Sequence, residues 1–72
     1  VPDYPLGYYN RGCIYMEICE YEKAISDYNK TIGIESKFPE PFIKKAEALE
    51  KIGRNIEAQE CFDAARELGY KG

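Results

Sequence analysis

Histidine is absent from this chain of 72 residues, and no long hydrophobic run occurs in it. Each absence closes off a class of function. Without histidine the chain lacks the commonest nitrogen ligand for a transition metal and the usual general base beside a nucleophilic cysteine. Three cysteines, Cys13, Cys19 and Cys61, stand at spacings that contain no CxxC, and three thiols cannot all pair within one chain. They read as reduced thiols of a cytosol-like compartment, so the expected localisation is cytoplasmic, and neither a metal nor another cofactor is expected. The apolar runs are far shorter than the roughly 20 residues that cross a bilayer, and no charged leader precedes an apolar core. Membrane and secretory readings are therefore not supported. Ten basic residues against thirteen acidic ones leave a net charge of -3. No basic run follows a phosphate backbone, so nucleic acid is not an expected partner.

What remains is one small domain whose modest core needs well-fitted packing or a partner. Two helical blocks flank ESKFPEP at 35–41, where Pro39 and Pro41 disfavour helix before them and are tolerated in the first turn of the next helix. Pro2 and Pro5 punctuate the N-terminus in the same way. VPDY at 1–4 also matches the end of an epitope tag, but a repeat frame accounts for Pro2 and Pro5 together. Gly53 offers a C-cap and Asn55 an N-cap. The pattern predicts four helices, near 6–18, 21–33, 40–52 and 56–68, and an all-α fold, since strand alternation is sustained nowhere.

YYNRGCIY, residues 8–15, raises the question of why a helix carries a glycine among tyrosines. Sliding the chain against itself by 34 residues aligns Tyr8 with Phe42, Gly12 with Ala46, Tyr15 with Leu49 and Ile18 with Ile52. Ala24 then meets Ala58, Tyr28 meets Phe62 and Thr31 meets Ala65, small on small and large on large. Gly12 and Ala46 are expected at tight crossings within two hairpins, with Ala24 and Ala58 as the opposing small residues. Glycine costs about 1 kcal/mol against alanine inside a helix, and close packing would offset that.

This order of residues in a 34-residue helix-turn-helix unit resembles the tetratricopeptide repeat. In the first unit the matching positions are Tyr8, Gly12, Tyr15, Tyr21, Ala24, Tyr28 and, loosely, Thr31; in the second they are Phe42, Ala46, Leu49, Gly53, Ala58, Phe62 and Ala65. Ser36 and Tyr70 depart from the closing proline, and Asn55 replaces the aromatic at Tyr21. The resemblance implies a single domain over 1–72 with repeats at 5–38 and 39–72, arranged as two tandem hairpins in a short right-handed superhelical array. It looks like a piece of a longer array.

The resemblance further implies a protein–protein interaction module whose first helices line a concave groove for a partner peptide. The groove residues would be Leu6, Tyr9, Asn10, Cys13, Met16 and Glu17, then Glu40, Ile43, Lys44, Glu47, Glu50 and Lys51. Asn10 and Lys44 also stand in places similar to those that bind an acidic C-terminal tail in carboxylate-clamp cochaperones. That pattern is partial, because Glu40 occupies a place usually held by lysine and the clamp's first repeat is missing. A plainer reading pairs Glu40 with Lys44 and Glu47 with Lys51 as i,i+4 ion pairs, each contributing roughly 0.2 to 0.5 kcal/mol in an isolated helix.

An enzyme is not expected. Cys13 faces the groove without a histidine base, and Glu17, Glu20, Glu22, Glu57 and Glu60 follow exposed helix faces rather than a catalytic or cation-binding cluster. The alternative function is structural, in which the fragment self-associates or joins neighbouring repeats. Its expected surface is Phe62, Ala65 and Leu68 on the last helix, which one hairpin partner would not fully cover and which no polar capping helix follows.

Overall fold

The computed structural model of the protein describes residues 4–70. Four helices follow one another: α1 (Pro5–Glu17), α2 (Tyr21–Ile34), α3 (Glu40–Lys51) and α4 (Asn55–Glu67). They form two hairpins, α1 with α2 and α3 with α4, joined by packing of α2 on α3, while α1 touches α3 only lightly. Each lies within about a turn of its expected span, because the signals that set its ends are local. Pro5 and Pro41 sit in the first turns of α1 and α3, where a missing N–H leaves no hydrogen bond unmade. Asn55 differs from expectation: the N-cap position belongs to Arg54, Asn55 is the first helical residue, and no side chain caps this helix.

Three helices end in the same way. The N–H groups of Cys19 and Glu20 return to the carbonyls of Met16 and Tyr15, at 3.1 and 2.8 Å. Gly53 and Arg54, then Gly69 and Tyr70, repeat this paired closure at the ends of α3 and α4. Such a closure places the residue just past the helix in the left-handed region. There φ is +62° at Cys19, +82° at Gly53 and +99° at Gly69. Cys19 is the one of the three that carries a side chain.

The core consists mainly of small side chains: Ala24, Ala46, Ala48, Ala58 and Ala65 are buried, with Tyr28, Leu49 and Cys61. Alanine on facing helices lets the axes approach, and the larger side chains fill what remains. Ala46, Leu49, Ala58 and Cys61 form one cluster, against which Ile25, Ile52 and Phe62 pack. Gly12 is explained by a different neighbour from the one expected. A Cβ built on Gly12 would lie 2.7 Å from Cε1 of the Tyr28 ring, so the nearest neighbour across the hairpin is that ring rather than Ala24.

Asp27 and Thr31 share the buried face of α2 with Ala24 and Tyr28. The Arg11 guanidinium donates to both Asp27 carboxylate oxygens, at 2.7 Å each, which ties α1 to α2. This fork lifts the Arg11 pKa further above its already high range, through the bond to Asp27. The Thr31 hydroxyl lies 3.1 Å from the Asp27 carbonyl and 3.2 Å from the Pro5 carbonyl, fastening the far end of α2 to the start of α1. Among the described residues no helix is long and apolar enough to cross a membrane. Pro2 and Gly72 lie outside the described residues.

Candidate functional site

A depression of about 170 Å³ opens where α1, α2 and α3 converge, lined by Cys13, Met16, Glu17, Tyr28, Lys44 and Glu47. Five expected groove residues, Cys13, Met16, Glu17, Lys44 and Glu47, meet in it. They do so because α1 and α3 are the first helices of their hairpins and lie on one side of α2. Tyr28 supplies the floor. Its phenol donates toward the Cys13 sulfur at 3.5 Å. Tyr9 stands beside it, ring centre 5.8 Å from that of Tyr28 and 5.5 Å from that of Phe38, each pair tilted at 53°. Tilted contacts at such distances suit the ring quadrupoles.

The electrostatics of this face are acidic. Burial pushes the Tyr9 phenol up to about 12, and the neighbouring Cys13, Glu40 and Glu47 add to the effect. Tyr28 is raised further, by burial first, then by its bond and charge interaction with Cys13, and by Tyr9 and Glu47. Lys44 lies 3.9 Å from Glu47. The expected i,i+4 pairs, Glu40 with Lys44 and Glu47 with Lys51, do not form among the described residues. Lys44 turns instead to the acid one turn after it.

The remaining expected groove residues are spread more widely. Leu6, Asn10 and Lys51 are exposed and Ile43 is half-buried, and none of these lines the depression. Sequence reasoning placed Tyr28 as packing alone and overlooked Phe38. The offset of 34 residues pairs Phe38 with Tyr4, and that aromatic match was the available signal. It also overlooked the Arg11–Asp27 pair, although Asp27 falls on the same stripe as Ala24, Tyr28 and Thr31.

The expected assembly surface changes most. Ala65 is fully covered, and Phe62 packs on the α3–α4 core, so of the three residues only Leu68 offers substantial surface, at 37% exposure. The adjacent side chains of α4 form a polar network, in which Gln59 donates to Asp63 at 3.1 Å and Arg66 pairs with the same carboxylate. Larger exposed apolar side chains stand at the start of α4, where Ile56 is 80% exposed, and on α1. Ile14 and Ile18 are 57% and 61% exposed, whereas Ala48, the equivalent of Ile14, is fully buried and Ile52, the equivalent of Ile18, packs on the core. Beside them Arg11 lies over the Tyr8 and Tyr15 rings at 5.9 and 5.8 Å, Lys23 over Tyr15 at 5.8 Å and Lys30 over Tyr8 at 5.3 Å.

Comparison with known proteins agrees with this architecture. A family model described as tetratricopeptide repeat matches residues 5–38. The fold superposes on a crystal structure of MamA with a TM-score of 0.89 and 35% identity, over 92% of this chain and 39% of that one. The chain belongs to the tetratricopeptide repeat family. It is similar to human Tetratricopeptide repeat protein 28, 34% identical over 55 residues, covering 76% of this chain and 2% of that protein. It is also similar to human Zinc finger CCCH domain-containing protein 7B, 40% identical over 52 residues, covering 72% of this chain and 5% of that protein. The chain thus spans a small part of the length of these relatives. Tetratricopeptide repeats mediate protein–protein interaction or assembly and are generally non-catalytic scaffolds.

Proposed function

We propose that this repeat chain binds a short segment of a partner protein on its concave face, with residues 39–72 acting as a second repeat beside the first. The observation that carries this is the depression in which Cys13, Met16 and Tyr28 make an apolar floor and Glu17, Lys44 and Glu47 a charged rim. Tyr9 and Ile43 extend the apolar part of the face, and Leu6, Asn10 and Lys51 give it exposed edges. A methionine at the floor adapts to varied side chains, and an open depression takes one ligand residue rather than a whole small molecule. Two repeats cover few ligand residues and must offset the ordering of a flexible peptide, so affinity is micromolar or weaker. A non-catalytic role fits the surroundings of Cys13, whose polar neighbour is a phenol held in its protonated form and unable to act as a base. The three cysteines suit a reducing compartment such as the cytoplasm.

An NMR titration of the chain with partner-derived peptides tests the reading. Shifts that gather on Cys13, Met16, Lys44 and Glu47 and fade in Met16→Ala are expected. Shifts confined to α4 remove it.

Ile14 and Ile18 favour a second reading, in which α1 packs on a neighbouring helix as α3 packs on α2. Their equivalents in the second hairpin, Ala48 and Ile52, are buried or packed on the core, and the apolar area left open is of the kind that marks an interface. Sedimentation across a wide concentration range distinguishes self-association, which Ile14→Lys with Ile18→Lys would abolish. A chain that stays monomeric at high concentration removes the self-associating branch.

A further inference from the structure

The charge on the rim of the depression says what kind of segment fits it. Glu17 and Glu47 line it, and the charges of Glu40 and Glu47 act on the Tyr9 phenol beside it. Against these three carboxylates stands one ammonium group at the depression itself, Lys44, already 3.9 Å from Glu47, while Lys51 lies exposed at the edge of the face and outside the lining. Among the described residues Glu17 and Glu40 take part in no ion pair. The face is therefore anionic, and an entering carboxylate would meet two uncompensated acids while displacing Glu47 from Lys44. The depression is smaller than the roughly 300 to 1,000 Å³ typical of small-molecule sites, which leaves room for a side chain. Its floor is a thiol, a thioether and an aromatic ring, so the entering side chain is apolar.

We propose that the occupant of the concave face is a cationic segment of a partner protein, in which an aliphatic side chain sits on Cys13, Met16 and Tyr28 while flanking lysine or arginine groups meet Glu17 and the Glu40–Glu47 side. This rests on the reading of the concave face as a peptide site. It reverses the expectation of an acidic tail that the resemblance of Asn10 and Lys44 to a carboxylate clamp suggests. The phenols of Tyr9 and Tyr28 are raised first by burial, and the carboxylates of Glu40 and Glu47 near Tyr9 and of Glu47 near Tyr28 act in the same direction. The net charge of -3 adds attraction at longer range that weakens with salt.

The experiment is an NMR titration of the whole chain with two acetylated, amidated peptides, GSKLRSG and GSELESG, and with a third peptide ending in a free acidic tail. The cationic peptide is expected to shift Cys13, Met16, Lys44 and Glu47 and to bind at least about fivefold more tightly than either acidic one at low salt. Glu17→Gln and Glu47→Gln are each expected to weaken it roughly two- to fivefold, the range for partly exposed charge pairs, and Glu60→Gln, on α4 and outside the depression, is expected not to weaken it. Equal or tighter binding of an acidic peptide at these same residues overturns the charge preference and leaves the groove standing. Cationic-peptide shifts that ignore both glutamate substitutions, or that fall on Glu57 and Glu60, show general attraction to an acidic protein and overturn it as well. Absence of groove shifts with all three peptides overturns the groove reading itself.

Discussion

Gly12 shows how one missing atom sets the distance between two helices. Its nearest would-be contact is the ring of Tyr28, a fully buried side chain. Gly12→Ala gains about 1 kcal/mol of helix propensity but overpacks the crossing, typically at a cost of 1 to 3 kcal/mol. Urea denaturation should show a net loss for Gly12→Ala and a larger one for Gly12→Leu. Gly33 provides the control, because a Cβ there meets nothing within 4 Å. Gly33→Ala should be neutral or stabilising by up to about 1 kcal/mol. Cys19 presents the opposite problem, a side chain at φ +62° where the second hairpin has Gly53. Left-handed backbone costs an L-residue roughly 1 to 2 kcal/mol, and part of that gain is returned to the unfolded chain by glycine. Cys19→Gly should therefore raise stability by about 0.5 to 1 kcal/mol, visible as a higher melting temperature.

Between elements, the two hairpins are fastened differently although they share a pattern. The first holds α1 to α2 through Arg11 and Asp27; the second has Lys45 and Cys61 at the equivalent positions, and burial pushes the Cys61 thiol up. Asp27 is only 2% exposed while Arg11 is 38% exposed, so water reaches one partner and not the other. Breaking a buried pair from one side costs about 3 to 5 kcal/mol, and the exposure of Arg11 reduces this to about 2 to 3 kcal/mol for Arg11→Ala. Removing Asp27 as well should recover more than half of the loss, since the second hairpin closes without such a pair. A double-mutant cycle measured by chemical denaturation checks both numbers. The Arg54–Glu57 fork, by contrast, joins neighbours on one exposed helix start; the bond to Arg54 lowers the Glu57 pKa, but nothing buried depends on it.

For the whole molecule, the phenols of the concave face link stability to alkaline pH. Tyr9 titrates near 12 in the folded protein against an ordinary value of 10.0, and Tyr28 is displaced in the same direction. Folded protein thus keeps protons that the unfolded chain releases. The stabilisation is fully present below pH 10 and is lost as pH rises through the folded value near 12. Urea midpoints should fall above pH 10, and the fall should be shallower in a Tyr9→Phe, Tyr28→Phe variant. Equal slopes in the two proteins would assign the loss to other groups. Tyrosinate absorbance offers a second reading, since part of the signal from the seven tyrosines should lag until the chain unfolds.

The sequence by itself determined the helices, their ends and the two-fold internal pattern, because these depend on neighbours a few residues away. Proline fixes its own φ, a helix closure needs a left-handed residue at Gly53 and Gly69, and the offset of 34 residues brings small side chains onto small ones whatever the crossing angle. The tertiary structure alone decided which side chains meet. Periodicity placed Gly12 on the buried face, but only the helix crossing turned it toward Tyr28 instead of Ala24. It placed Lys44 near two glutamates, and the folded rotamer chose Glu47. It left Ala65 at an open edge that the α3–α4 contact closes, and Ile14 at a position whose equivalent in the second hairpin is covered. The physical reason is range: helix propensity and capping act along the chain, whereas burial, ion pairing and the charge of a groove are set by residues that only folding brings together.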